Sequence, residues 1–301
     1  MNTQVTQFND IAKIFPQRAN TRDANKGTYG HVFVIAGSKE VAGAPILAAE
    51  GATRAGAGLV TLVVPESISA IVMAKVSSVV MTRAWSDDSI NAVLSIIEKA
   101  DVIVLGPGIG VSDETISLTK KLLEKTSCPV VLDADALTLM SKESDRGESL
   151  LRDRHGFTIL TPHPGEMARL LGMKNHEVQE DRYAAVTRAA KFYQCTVVLK
   201  GSRTLIATKD GAVYENPTGN PGMATGGSGD VLSGVIAALL GQGLKPLDAS
   251  IASTYIHGLA GDLAAKAFGG FTGLIATDLI MHLPKAIAHC QNNTRNDLLT
   301  I

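Results

Sequence analysis

Short apolar runs alternate with longer amphipathic segments through most of this chain, and that alternation restricts the fold more than any other feature. The runs His31–Ala36, Leu59–Val64, Val102–Leu105, Val130–Leu132, Thr158–Leu160 and Thr196–Leu199 are mostly Val, Ile and Leu. Strands of this kind are buried on both faces, as in parallel sheets. Between them, Ala44–Ala55, Ser89–Lys99, Asp113–Lys125 and Glu177–Tyr193 carry helical patterning. Strand and helix in strict turn predict an α/β fold, a parallel sheet with helices on both sides. After Lys200 the pattern changes. Thr204–Ala207 and Ala212–Tyr214, on either side of Lys209-Asp210-Gly211, predict an antiparallel hairpin. A glycine-rich loop then runs from Asn216 to Gly229, and helices are predicted over Val231–Leu240, Leu247–Phe268 and Ala276–Leu283.

With 301 residues and 45% hydrophobic side chains, there is ample material for a core. No repeat, low-complexity block or Pro/Ser-rich linker divides the chain, so one domain over 1–301 is expected. Residues 1–25 read as an N-terminal extension and 290–301 as a polar tail, with Gln291–Ile301 predicted to fray. The 28 Lys and Arg balance 29 Asp and Glu, leaving a net charge of -1. A non-specific nucleic-acid or membrane-surface binder usually carries a basic excess, so neither partner is expected. Cys128, Cys195 and Cys290 are widely spaced with no Cys-x-x-Cys, which argues against a disulfide framework or zinc knuckle. Met1–Asp10 lacks the apolar core of a signal peptide, and no apolar run reaches the ~18 residues of a bilayer span. The expected location is cytoplasmic.

The most specific local signal is Ala224-Thr225-Gly226-Gly227-Ser228-Gly229-Asp230, followed at once by an apolar helix. A glycine loop opening a helix offers free backbone N–H groups and the positive end of the helix dipole. Gly226, Gly227, Ser228 and Gly229 therefore read as an anion cradle suited to phosphate. Asp230 is either a base beside that cradle or simply the helix N-cap, although capping alone needs no three glycines before it. Gly-Lys-[Ser/Thr] occurs nowhere, so this is not a Walker A loop. It also lies too late in the chain, and follows no suitable strand, for the dinucleotide fingerprint.

Other segments sit where strands end. Gly106-Pro107-Gly108-Ile109-Gly110 is a tight strand-to-helix turn or a close backbone approach to a ligand. In Thr161-Pro162-His163-Pro164-Gly165-Glu166 the two prolines restrict His163, Pro164 suits the first turn of a helix, and Glu166 is favourable in that turn. Of Asp133 and Asp135, the second is expected to cap the helix from Ala136. Asp133 either bonds its own turn or serves Mg²⁺ or a ribose. Lys200-Gly201-Ser202-Arg203-Thr204 suits a nucleotide phosphate or ribose, or is a solvated turn. In Gly27-Thr28-Tyr29-Gly30-His31 and Arg54-Ala55-Gly56-Ala57-Gly58 small residues are expected to let helix and sheet approach closely.

Taken together, Gly27–His31, Ala55–Thr61, Gly106–Gly108, Asp133–Leu137, Thr161–Glu166, Lys200-Gly201, Asn216–Asn220 and Gly226–Asp230 resemble the NAD(P)H-hydrate dehydratase family of the ribokinase-like superfamily, from about Gly27 to Leu283. Ser228 is a departure, since the family more often has Thr there; the hydroxyl is retained. The resemblance implies a three-layer α/β/α ribokinase-like fold with the hairpin near the nucleotide site. It also implies an enzyme that repairs hydrated NADH or NADPH, phosphorylating the ring hydroxyl of the S-epimer from ADP or ATP and then losing phosphate. By the family pattern Asp230 is the catalytic base. Ala44, Gly108, His163 and Asp230 contact the hydrated dinucleotide, while Lys200, Gly201, Ser202, Arg203, Thr204 and Gly229 hold the nucleotide. Mg²⁺ is expected on the donor phosphates, with no protein ligands assigned. A homo-oligomer, up to a tetramer, is implied, as is a separate NAD(P)H-hydrate epimerase, since the chain has no room for that domain. The rival readings are a ribokinase-like kinase of a vitamin precursor or sugar and a non-catalytic nucleotide-binding regulator. The first would keep its phosphate on the product and the second would release none.

Overall fold

The computed structural model describes residues 3–5, 8–15, 23–86, 90–142 and 144–291. Among these a ten-stranded sheet runs through the molecule in the order β1-β10-β9-β8-β7-β6-β5-β2-β3-β4. Its central strands are β2 (His31–Ile35), β3 (Leu59–Pro65), β5 (Val102–Leu105), β6 (Val130–Leu132), β7 (Thr158–Leu160) and β8 (Thr196–Leu199), all parallel. These are the six runs read from the sequence, displaced by a residue at most. β9 (Leu205–Ala207) and β10 (Val213–Glu215) form the expected antiparallel hairpin, and β9 pairs antiparallel with β8. Two strands escaped the sequence reading. β4 (Met81–Trp85) is polar and partly exposed, as an edge strand can be, and β1 (Thr3–Val5) is only three residues long.

Alternation along each strand divides the core. Val32, Val34, Val102, Val104 and Val131 point to one face, and Phe33, Ile35, Ile103, Leu105, Val130 and Leu132 to the other. On the first face lie α1 (Phe8–Ile14), α2 (Gly43–Arg54), α3 (Glu66–Lys75), α11 (Ser228–Gly241), α12 (Pro246–Phe268) and α13 (Ala276–Gln291). On the second lie α4 (Ile90–Ile97), α5 (Asp113–Lys125), α6 (Asp135–Lys142), α8 (Pro164–Leu171), α9 (Asn175–Glu180) and α10 (Arg182–Tyr193). α7 (Ser144–Arg152) packs on α5, α6 and α10 of that same layer. The result is a three-layer α/β/α fold.

Several boundaries differ from expectation for identifiable reasons. The helix predicted over Glu177–Tyr193 is two helices, because the Asp181 carboxylate accepts the Ala184 N–H at 2.9 Å and starts α10. α13 continues past Leu283 through Pro284 to Gln291. Among the described residues of 1–25, Ile11 and Phe15 are buried in the core, and β1 pairs with β10. Ser89 and residues 292–301 lie outside the described residues.

α11, which the glycine loop opens, packs backbone to backbone on α2. A Cβ on Gly234 would stand 2.0 Å from the Ala48 carbonyl oxygen, and one on Gly51 would stand 2.7 Å from that of Val231. The topology reverses between β2 and β5, where the connections leave in opposite directions, and α/β sheets bind ligands outside such a point.

Candidate active site

The carboxyl ends of β5 to β8 bring most of the singled-out residues together. A cavity of about 630 Å³ is lined by His163, by Lys200, Gly201, Ser202, Arg203 and Thr204, by Asn216–Pro221 and Met223–Thr225, and by Ser228, Gly229 and His257, among others. Ala44 and Gly108 do not line it. They meet each other at the switch-point crevice, where a Cβ on Gly108 would stand 3.4 Å from that of Ala44 and 2.5 Å from Val41. Gly106, Gly108 and Gly110 all take positive φ, and a Cβ on Gly106 would lie 2.0 Å from the Asp133 carbonyl oxygen. The turn is therefore tight, and Gly108 packs against Val41 and Ala44 beside the switch point.

The glycine loop folds as a helix start of unusual shape. Gly227 is the N-cap, with φ 89°, and a Cβ there would collide with Leu47 at 2.3 Å. Around Gly226 the space is open. Asp230 is the third residue of α11 and makes no capping hydrogen bond, so the N-cap reading of Asp230 is corrected. Asp135 does not cap α6 either. Its carboxylate accepts the Gly110 N–H at 2.9 Å and so holds the β5 turn.

His163 does act as a cap. Its Nδ1 accepts the Gly165 and Glu166 N–H groups at 3.0 and 3.4 Å, while Glu166 Oε2 accepts the His163 N–H at 2.7 Å. This reciprocal pair is a capping box with histidine in place of Ser or Thr, legible as His-x-x-Glu once that substitution is allowed. Because Nδ1 accepts, the neutral ring carries its proton on Nε2, 3.3 Å from Glu166 Oε1. Burial, then the nearby Lys200 charge, hold the imidazole below its ordinary value.

Lys200 leaves the nucleotide segment and turns inward. Its Nζ lies 2.6 Å from Asp133 Oδ1 and 3.7 Å from Glu166 Oε2. Burial alone would lower this ammonium, but Asp133 and Glu166 outweigh it and raise it. Asp133 is fully buried; its Oδ1 also accepts the Ala134 N–H at 2.9 Å, and its Oδ2 accepts the Ser233 hydroxyl. Of the two readings of Asp133, the geometry shows the one in which it bonds its own turn, through Ala134, together with Lys200 and Ser233.

Asp230 stands beside this cluster. Burial, then the negative charge of Asp133, push its carboxyl up to about 7, with Lys200 opposing. Burial likewise pushes Glu166 up. A carboxylate near neutral in proton affinity, at a helix N-terminus beside an anion cradle, can accept a proton from a hydroxyl that attacks a phosphoryl group.

Sequence reasoning missed the residues that hold this frame. Arg182 reaches the Leu199, Lys200 and Ser202 carbonyls and so fixes the Lys200–Thr204 segment. Gly201, at φ 134°, leaves room for it; a Cβ there would lie 3.1 Å from the guanidinium. Arg203, also at positive φ, is exposed and pairs with Glu215 at 2.7 Å. Asp262 accepts the Gly219 N–H and the Asn220 amide, tying the Asn216–Asn220 loop to α12. His257 Nε2 lies 2.9 Å from the Ser228 carbonyl, and burial pulls its ring down to about 4.

The family model described as NAD(P)H-hydrate dehydratase matches residues 32–285. The chain belongs to the NAD(P)H-hydrate dehydratase family. It is 39% identical to the ADP-dependent (S)-NAD(P)H-hydrate dehydratase of Neisseria meningitidis over 91% of this chain and 90% of that one. To the bifunctional NAD(P)H-hydrate repair enzyme Nnr of Moorella thermoacetica it is 43% identical over 89% of its length. It spans only 51% of that protein, about half the length of the bifunctional relatives it matches. Among solved structures, the ADP/ATP-dependent NAD(P)H-hydrate dehydratase of Bacillus subtilis, co-crystallised with ATP and Mg²⁺, superposes with a TM-score of 0.84 at 30% identity. That likeness covers 96% of this chain and 99% of the other. In this dehydratase-family chain no group of three His, Cys, Asp or Glu suited to a metal ion occurs among the described residues. No helix among the described residues is long and apolar enough to cross a membrane.

Proposed function

We propose that this chain restores NADH or NADPH from the S-epimer of its hydrated form, using ADP or ATP as phosphoryl donor. The observation that carries the reading is Asp230, whose carboxyl titrates near 7 in the first turn of the helix opened by Gly226–Gly229. The nucleotide occupies the pocket of Lys200–Thr204 and Gly229, with Mg²⁺ neutralising its phosphates. The hydrated dinucleotide enters from the switch-point side, toward Ala44 and Gly108, and meets His163 and Asp230. Asp230 takes the proton of the ring hydroxyl as its oxygen attacks the terminal phosphorus, and the donor's P–O bond breaks. The helix N-terminus and cradle amides stabilise charge on the transferring group. Phosphate then leaves the ring carbon, a proton leaves the adjacent one, and the double bond of the reduced nicotinamide returns.

Cytoplasmic location, a homo-oligomeric state up to a tetramer and a separate epimerase acting on the R-epimer complete this reading. The bifunctional names of several relatives support the last. The test is absorbance at the reduced-nicotinamide band after mixing protein, Mg²⁺ and hydrated NADH with ADP or ATP in turn. A rise that depends on one nucleotide supports the reading and identifies the donor. Phosphorylated product without that rise would move the assignment to a small-molecule kinase. Binding without phosphate release would move it to a regulator.

A further inference from the structure

One buried carboxylate touches two side chains that lie against Gly229, the last glycine of the loop. Asp133 ends β6 with no exposed surface. Its Oδ1 receives the Lys200 ammonium at 2.6 Å. That ammonium lies against Gly229, 3.2 Å from where a Cβ on Gly229 would stand. Its Oδ2 receives the hydroxyl of Ser233, which also lies 3.1 Å from the Gly229 carbonyl oxygen. Two arms thus leave one carboxylate, from β6 to the end of β8 and to the second turn of α11, and converge on the same glycine.

We propose that Asp133 is the positioning residue of this site, holding Gly229 in place through Lys200 and Ser233 and setting the charge that Asp230 faces. The inference rests on the proposed function for its chemistry but not for its geometry. Besides a backbone and a hydroxyl donor, this carboxylate pairs its charge with the cation that lies against the last glycine of the loop. The charged groups facing Asp230 come from four elements: Asp133 at the end of β6, Asp135 on α6, Glu166 on α8 and Lys200 after β8. α12 contributes the ring of His257, neutral above about 4. α2 and α13 contribute Leu47 and Ala276, which close on Gly227. Asp133 and Lys200 act on Asp230 with opposite sign, so removing each should move its titration in opposite directions.

The experiment is a ¹³C NMR titration of the Asp230 carboxyl in protein labelled at aspartate, assigned with Asp230→Asn. It is run on the wild type, Asp133→Asn, Lys200→Met and Ser233→Ala, with ADP affinity measured on each by calorimetry. Asp133→Asn should lower the Asp230 midpoint and Lys200→Met should raise it, each by about one pH unit. Ser233→Ala carries no charge change; it should leave the midpoint in place and weaken ADP binding severalfold. Shifts of the same sign, or none, in variants that keep a cooperative melt would overturn the proposal. Should Asp133→Asn fail to fold, an unmoved midpoint in Lys200→Met overturns it alone. The titration needs no turnover, so a wild type that never regenerates NADH would defeat the functional reading and leave this result standing or falling by itself.

Discussion

The two ends of the parallel strands both gather charged groups, and they use them differently. At the amino ends, the Arg154 guanidinium donates to the Thr126, Cys128 and Phe157 carbonyls and to the Thr126 and Thr158 hydroxyls. Asp101 accepts the His31 N–H at 2.7 Å, and His31 Nε2 lies 2.8 Å from the Thr61 hydroxyl. These groups are spent on backbone and neutral hydroxyls. At the carboxyl ends, Asp133, Glu166, Asp230 and Lys200 face one another, and burial with neighbouring charge moves Glu166, Lys200 and Asp230 up from their ordinary proton affinities. Charge satisfied by backbone stabilises; charge set against charge leaves a proton free to move.

The largest expected effect is at Asp230. Asp230→Asn should lower turnover by about 10²–10⁴-fold, the range of a lost general base. The same change should stabilise the fold, increasingly as pH rises above about 4. Asp230 sits at about 7 when folded, well above an ordinary aspartate, so its carboxyl is neutral at pH 5 and charged at pH 8. The stability of its neutral form is complete only below about pH 4, where the unfolded carboxyl is also protonated, and is lost progressively from there until pH passes 7. Melting temperatures of wild type and variant should therefore agree below about pH 4, diverge steadily between about pH 4 and 7, and differ by several degrees at pH 8, the variant higher. A wild-type rate, or equal melting at every pH, would erase the distinction between the two ends.

Next comes the amino end. A Cβ on Gly58 would lie 1.7 Å from the Lys26 carbonyl oxygen. Gly58→Ala should thus cost about 3 kcal/mol in denaturant unfolding, with turnover per folded molecule unchanged. Arg154→Met removes charge-assisted bonds to carbonyls and should cost about 1–3 kcal/mol, again without a change in the pH profile of turnover. A shifted profile in either would mean that the amino end feeds the chemistry after all. The smallest effect is expected at Arg182, which lies between the two modes. Its guanidinium bonds only carbonyls, yet those belong to the nucleotide segment. Arg182→Met should raise KM for the nucleotide about fivefold and leave kcat within a factor of two, equivalent to about 1 kcal/mol.

The family-level motifs divide along the same line. Gly27–His31 lies at the amino ends, and its Gly30 packs on the Gly241 backbone, where a Cβ would stand 2.4 Å from the carbonyl oxygen. Close approach explains that motif, as its small residues suggested. Thr161–Glu166 lies at the carboxyl ends and joins the charged cluster. Both are equally visible in sequence, and only one belongs to the site.

The sequence by itself determined the six central strands, the hairpin and the glycine loop that opens α11. Each is written in local terms: the period of apolar residues, a turn, or backbone freedom at Gly227. It also placed Lys200–Thr204, Ser228 and Gly229 among candidates that line one pocket. What only the tertiary structure decided is which charges meet. Asp133 and Lys200 are 67 positions apart, and Asp133 and Ser233 are 100 apart. No local pattern encodes such a distance. Their meeting follows from parallel strands that end side by side, and the proton affinity of Asp230 follows from that meeting in a buried place.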